Sequence, residues 1–306
     1  MDYRLREHEG LSDATKRIVL EQIDKALDHL KPTVRNKDEA IHEARVCIKR
    51  IRALLRFMRE SLGDETYDAE NTTYRDAARL LSKVRDSAAM LEIVDKLIQH
   101  FSDQLSNDAF AGVRAPLLHS KKSGQQDRKS AMTKVARSLR QARERVQNWP
   151  EVDPQQALAK GLKRVFKQGR ATFASAYDQP SVETFHEWRK QVKHLLYQTQ
   201  VLRPLWLPVM EALAAELKTL GKYLNEDHDL AILRENVLEQ LDEADNRTEI
   251  EALVALLDQR RKELQLIARI LGTRIYAEKP RAFVIRAETY WRAWRAEVKD
   301  DPIVLS

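Results

Sequence analysis

Six side chains of one segment are positively charged or become so on protonation: His42, Arg45, Lys49, Arg52, Arg56 and Arg59. Their spacing of three and four residues places them on one face of an α-helix. Arginine forks and lysine ammonium groups in such a row suit a multivalent anion. The spacing therefore predicts a polyanion-binding face. The alternative is a face whose cations pair with acidic residues of a neighbouring helix.

A second segment carries a weaker version of the same pattern. Its cationic stripe and the adjoining positions comprise His186, Arg189, Lys190, Lys193, His194, Tyr197 and Arg203. The residues at 186, 189 and 193 each lie 144 positions after their counterparts in the first segment. Leu196 and Gln200 stand where the first segment has arginines, so the second stripe carries less charge.

Both segments are followed by a further pair of matching motifs. Arg79 and Arg85-Asp86 in the first half correspond to Lys222 and His228-Asp229 in the second half, at an offset of 143. Two motifs that keep their separation within one residue indicate a duplicated helical unit.

The boundary between the two units is predicted at a segment with two prolines, Pro150 and Pro154. Each proline disfavours a helical conformation of the residue before it. The predicted divisions are an N-terminal extension, a first repeat, a second repeat and a C-terminal tail, at 1–10, 11–150, 151–299 and 300–306.

The elements that must position these residues are helices, because helical periodicity runs through almost the whole chain and no segment shows the alternation of a strand. Only eight glycines and nine prolines occur in 306 residues, which argues against a turn-rich all-β fold. We therefore predict an all-α fold. The predicted helices are 12–31, 38–62, 66–105, 126–148, 155–177, 182–203, 207–224, 227–243, 247–271 and 279–299. Ser181 is the predicted N-cap of the helix that carries His186.

Charge is distributed unevenly along the chain. The net charge of +6 combines 53 basic with 47 acidic residues. Residues 128–170 contain twelve lysines and arginines against three acids, whereas residues 226–263 contain twelve acids against five basic residues. Such local basic regions indicate a polyanionic partner more strongly than the net charge does.

The compartment is predicted to be the cytoplasm. Cys47 is the only cysteine, which excludes an intramolecular disulfide and a multi-cysteine metal cluster. No apolar run approaches the roughly 20 residues that cross a bilayer, and the N-terminus lacks the apolar core of a secretory signal. The sequence therefore predicts no membrane partner.

Several catalytic motifs are missing from the sequence, which has no P-loop, no Gly-x-Ser-x-Gly elbow and no His-Glu-x-x-His helix. Two alternatives to simple polyanion binding stay open. One is an HD-type metal-dependent phosphohydrolase that uses His186, His228 and Asp229. The other is a nucleic-acid-binding helical protein, although no helix-turn-helix or cluster of stacking aromatics supports it.

The motifs together resemble the CHAD family, the conserved histidine α-helical domain. Residues 41–52 (IHEARVCIKRIR) and 185–197 (FHEWRKQVKHLLY) are similar to the two signatures of that family. Residues 80–86 (LLSKVRD) and 220–229 (LGKYLNEDHD) are similar to the segments that end in Arg-Asp and His-Asp. The likeness extends from about Leu11 to Glu297.

This resemblance implies two helical bundles of four to five helices each, related by a pseudo-twofold axis around a central basic pore or groove that binds inorganic polyphosphate. It also implies an association with polyphosphate granules and their proteins. Many relatives carry a catalytic tunnel domain with a Glu-x-Glu-x-Lys motif, which this sequence lacks. We therefore expect a stand-alone binding protein without catalytic residues, cofactor or metal.

The contacts that the resemblance implies are His42, Arg45, Lys49, Arg52, Arg56, His186, Arg189, Lys190, Lys193 and Tyr197. Neighbouring and matching positions complete the predicted polyphosphate-binding set with Arg50, Arg79, Arg85, Arg137, Lys163, Lys167, Arg170, His194, Lys222 and His228. Gly161 and Gly169 interrupt the helix that carries three of these residues. Since glycine weakens a helix interior, both glycines predict the close approach of another helix.

Overall fold

The computed structural model of the chain describes residues 3–82, 86–103, 105, 109–114, 125–239 and 247–299. The long helices of these residues are α1 (Leu11–His29), α2 (Lys37–Leu62), α3 (Asp64–Ser82), α4 (Asp86–His100), α5 (Gln125–Val146), α6 (Lys163–Asp178), α7 (Val182–Val201), α8 (Leu207–Glu239), α9 (Arg247–Ile275) and α10 (Pro280–Lys299). A short turn (Pro154–Gln156) and a π-helical stretch (Ala157–Leu162) lead directly into α6. The described residues contain no strand, so the predicted all-α class is confirmed. The predicted tail at 300–306 lies outside them.

One predicted helix boundary is wrong. The segments predicted as 207–224 and 227–243 share the single helix α8 as far as Glu239. Its Asn225-Glu226 step is polar but contains no helix breaker. The segment predicted as one helix over 66–105 contains α3 and α4, and the residues between them lie outside the described part of the chain. In the described residues, α3 packs against α2 and α5, whereas α4 packs against α8 and α9.

The helix ends that fix the two signature segments follow from local sequence. Ser181 caps α7 as predicted: its Oγ accepts from the Thr184 N–H at 3.1 Å, and the Thr184 hydroxyl accepts from the Ser181 N–H at 3.0 Å. The Asn36 side chain accepts from the Glu39 N–H at the start of α2. Gly63, with φ of 76°, ends α2 in a conformation that favours glycine. These caps fix where the two signature helices begin and where α2 ends.

The hydrophobic core does not follow the boundary between the repeats. One cluster joins α1, α2, α3 and α5 of the first repeat to α6, α7 and α10 of the second. A second cluster joins α4 to the C-terminal half of α8 and to α9. The signature helices α2 and α7 pack directly on each other, and the buried Gln198 amide donates to the Ala53 carbonyl oxygen at 3.0 Å. The centre of the molecule therefore lies where the two repeats meet.

Gly161 confirms the close approach that its position predicts. A Cβ atom at Gly161 would lie 2.9 Å from the carbonyl carbon of Phe57 and closer still to its oxygen. The π-helical stretch thus contacts the backbone of α2 directly, and this contact joins the start of the second repeat to the first signature helix. Within the described residues, no helix combines the length and the apolar character needed to span a membrane.

Candidate functional site

A cavity of about 890 Å³ lies among α2, α4, α7 and α8, with one residue from α9. We call it the basic cavity. Its polar lining consists of His42, Lys49, Arg50, Lys96, His100, Lys193, Tyr197, Gln200, Lys218, Thr219, Lys222, Asn225, Glu226, Asp229 and Arg260. Lysines and arginines outnumber the two carboxylates in this lining, so the cavity has the charge that attracts an anion.

Six residues of the predicted binding set line this cavity: His42, Lys49, Arg50, Lys193, Tyr197 and Lys222. Further predicted residues lie against them. Arg45 and Arg189 lower the pKa of Lys193 through their charge, and Arg189 also donates from Nε to Asn225 Oδ1 at 2.6 Å. The structure therefore brings together the N-terminal part of the first stripe and the corresponding part of the second.

Lys193 lies among cations of both signature helices. Burial, followed by the charges of Arg189 and Lys49, lowers its pKa from 10.5 to about 6. Asp229 opposes this effect only in part. This low pKa favours the neutral amine at neutral pH, chiefly because a buried ammonium group is poorly solvated and secondly because the neighbouring cations repel it.

Two histidines, one from each motif of the second repeat, lie near this lysine. The rings of His186 and His228 are 4.5 Å apart between centroids. Burial, followed by the charge of Arg189, lowers the pKa of both, in the case of His228 to about 3. Both Nδ1 atoms are buried without a hydrogen-bond partner among the described residues. A bound anion would supply the missing negative charge.

No group of three or more His, Cys, Asp or Glu side chains within the described ranges is placed to hold a metal ion. Those ranges include His186, His228 and Asp229, the three residues considered for a metal site.

The C-terminal part of the first stripe faces away from the basic cavity. Arg52 and Arg56 share the side-chain oxygen of Asn71 on α3, at 3.2 and 3.4 Å. Burial and the charge of Arg56 lower the pKa of Arg52 to about 10, so Arg52 remains charged at neutral pH. The buried His194 lies near these arginines, whose charges add to the effect of burial and lower its pKa. Arg59 pairs with Asp64 at 2.8 Å.

Other predicted residues are exposed and do not line the basic cavity: Arg79, Arg137, Lys163, Lys167 and Arg170. They lie on α3, α5 and α6, and none of these helices contributes a residue to the lining of the cavity. Lys190 pairs with Glu187 of its own helix. Arg85 lies outside the described residues.

Four basic residues of the cavity were not predicted from the sequence: Lys96, His100, Lys218 and Arg260. Lys218 precedes Lys222 by one helical turn, a spacing that was available as a signal. The basic residues of α4 and α9 are not spaced in this way from a predicted binding residue. They line the cavity only because the fold places α4 and α9 beside it.

An ion-pair network closes the α4 side of the cavity. His100 Nε2 lies 3.0 Å from Glu263 Oε2, and Arg260 donates to Glu263 at 3.1 Å and to Glu226 at 2.7 Å. Because Arg260 is paired with two carboxylates, it contributes less net charge to the cavity than the lysines do.

The fold and the site define a class: all-α proteins in which two signature helices meet beside a cationic cavity. A family model for the CHAD domain matches residues 17–238, which is most of the chain and includes both signatures. The chain belongs to the CHAD domain family. The resemblance seen in the sequence is thereby confirmed.

Solved structures share this fold. The chain is similar to PptA from Streptomyces chartreusis, with 16% identity and a TM-score of 0.61 over 87% of this chain and 99% of that one. It is also similar to the CHAD domain from the plant Ricinus communis, with 16% identity and a TM-score of 0.64 over 88% of this chain and 93% of that one. No curated protein matches the sequence significantly.

Proposed function

We propose that this protein binds inorganic polyphosphate in the basic cavity and does not hydrolyse it. The observation that carries the proposal is the meeting of cations from both signature helices in one cavity, with Lys49 and Arg50 from α2 and Lys193 from α7, in a lining that holds more lysines and arginines than carboxylates. A site in which cations repel one another is completed by a ligand that supplies negative charge. The CHAD family is associated with polyphosphate binding in general.

Polyphosphate suits the chemistry of the cavity. It is a flexible chain of phosphates without bases, so its recognition needs spaced cationic donors and little else. The lining offers lysines from α2, α4, α7 and α8 and the Arg50 guanidinium. Binding of this kind would place the protein at polyphosphate granules wherever a cell accumulates them.

The decisive experiment is a titration of the full chain with polyphosphate at several salt concentrations, with pyrophosphate and duplex DNA as competitors. We expect the affinity to fall steeply as salt increases, by analogy with the release of counterions from nucleic acids. We also expect polyphosphate to be preferred over DNA at equal phosphate concentration. Equal competition by DNA would favour the nucleic-acid alternative.

A variant with Arg45, Lys49, Arg189 and Lys193 all changed to glutamate should lose binding while keeping its helix content. The matched control changes four exposed cations outside the cavity to glutamate: Lys129, Arg140, Lys262 and Arg281. Both variants replace four basic residues with glutamate, so they differ mainly in the position of the substitutions. Unchanged affinity of the first variant, or equal loss in the control, contradicts the proposed site.

Absence of hydrolysis is tested separately. We expect no release of phosphate from polyphosphate when the wild-type protein is incubated with magnesium, manganese or zinc ions. Metal-dependent release that is lost in a His228→Ala variant would instead support the phosphohydrolase alternative.

A further inference from the structure

The first described residues, 3–9, form a segment that lies outside the family match at 17–238. We call it the N-terminal segment. It crosses to the second repeat, because the Leu5 backbone N–H donates to the Val201 carbonyl oxygen at the end of α7, at 3.1 Å. Leu5 is buried in the core that both repeats share.

Charged contacts hold the other end of this segment. Arg17 of α1 donates from Nη2 to Glu9 Oε2 at 2.7 Å. Arg295 of α10 donates from Nη1 to the carbonyl oxygens of Glu7 and Glu9, each at 3.1 Å. The N-terminal segment is therefore attached to helices at both ends of the chain.

Tyr3 connects the N-terminal segment to the basic cavity. Its hydroxyl donates to the Arg50 carbonyl oxygen at 3.0 Å. The Arg50 guanidinium carbon lies 5.0 Å from the centroid of the Tyr3 ring and 5.9 Å from that of Tyr197. The two tyrosine rings meet edge to face, 6.3 Å apart. Burial raises the pKa of Tyr3, so its hydroxyl stays protonated and continues to donate.

The arrangement has a direct consequence for the cavity. Arg50 and Tyr197 both line the basic cavity. Tyr3 does not line it, but it contacts both of these side chains. An arginine beside an aromatic ring is attracted to the ring face, and this attraction strengthens where water is excluded. Without the Tyr3 ring, the long Arg50 side chain would keep fewer contacts that fix its direction, one of which is to Gln22 Oε1 at 3.4 Å.

We propose that Tyr3 is a positioning residue of the basic cavity, which holds Arg50 and Tyr197 in place for a phosphate chain. The inference rests on the proposed function. It assigns a role in the site to a segment that lies outside the family match and that the sequence motifs treat only as an extension.

The test measures the polyphosphate affinity of the full chain with Tyr3→Leu and Tyr3→Phe. We expect Tyr3→Leu to weaken binding about threefold to tenfold, because the cation–π contact is lost. Tyr3→Phe keeps the ring and should stay within about twofold of the wild type. The matched control is Tyr67→Leu, which removes a ring 4.7 Å from the Arg59 guanidinium, outside the cavity. It should leave the affinity unchanged, and thermal unfolding of each variant verifies the fold.

A double-mutant cycle with Arg50→Gln separates positioning from general destabilisation. If Tyr3 acts through Arg50, the double variant Tyr3→Leu/Arg50→Gln binds as weakly as Arg50→Gln alone. Additive losses, wild-type affinity of Tyr3→Leu, or an equal loss in Tyr67→Leu would overturn the inference while leaving polyphosphate binding intact. A wild-type chain that does not bind polyphosphate would overturn the proposed function and this inference together.

Discussion

The protonation of Lys193 is expected to respond to an anion bound in the basic cavity. Lys193 is surrounded by Arg45 and Lys49 from α2, by Arg189 from its own helix, and by Asp229 from α8. Burial and these cations lower its pKa to about 6. Under the proposed function, bound phosphates would favour the ammonium form and move this pKa back toward its ordinary value of 10.5.

Binding of polyphosphate is therefore predicted to take up a proton. Between pH 6 and the pKa of the bound state, the complex holds more protons than the free protein, so the affinity increases as the pH falls toward 6. Calorimetric titrations at pH 8 in buffers with different ionisation enthalpies should reveal an uptake of about one proton per site.

The variant Lys193→Met should abolish most of this proton uptake. Lys222→Met is the matched control, because Lys222 is an exposed lysine of the same cavity. It should lower the affinity while leaving the proton uptake close to that of the wild type. Equal uptake by the wild type and Lys193→Met would contradict the assignment of the proton to Lys193.

At the scale of the elements, the packing of the π-helical stretch on α2 joins the two repeats. Gly161 lies against the backbone of Phe57, which cannot move aside as a flexible side chain could. Gly221 also interrupts a helix, but a Cβ atom there would meet only Val192 Cγ1, at an ordinary contact distance of 3.9 Å. Alanine substitutions at the two glycines are therefore expected to change the free energy of unfolding in opposite directions.

Gly161→Ala should lower the free energy of unfolding by about 1–3 kcal/mol, because the added methyl group forces the helices apart. Gly221→Ala should raise it by up to about 1 kcal/mol, because alanine stabilises a helix relative to glycine. Urea denaturation followed by circular dichroism measures both. A Gly161→Ala variant that is more stable than the wild type would contradict the close contact between the π-helical stretch and α2.

At the scale of the whole molecule, the position of the cations decides which of them a polyphosphate chain meets. Lys218 and Lys222 line the basic cavity on α8, whereas Lys163 and Lys167 are exposed on α6 outside it. The two lysines of each pair are four residues apart on a helix, so their spacing alone gives no reason to prefer one pair to the other.

The double variant Lys218→Gln/Lys222→Gln should lower both the polyphosphate affinity and its salt dependence. The slope of log affinity against log salt is expected to fall by about one to two, since two phosphate contacts are lost. Lys163→Gln/Lys167→Gln, the control with the same change of charge, should leave the slope nearly unchanged. A comparable loss in the control would show that the ligand follows α6 as well.

The sequence by itself determined the helical class and the family, and it predicted a duplicated unit. These follow from short-range patterns: the spacing of charges and apolar residues along one helix, the Ser181 cap, and signature segments that lie within single helices. The close approach at Gly161 was also predictable, because an interior glycine needs a packing reason.

Only the tertiary structure decided which cations share one site. It directs Lys49 to the basic cavity and Arg52 to Asn71, although both belong to the same predicted stripe. It adds Lys96 from α4, and it leaves Lys163 of α6 outside the cavity. The physical reason is that helical periodicity defines a face about one helix only. What covers each part of that face depends on contacts between residues that are far apart in the chain.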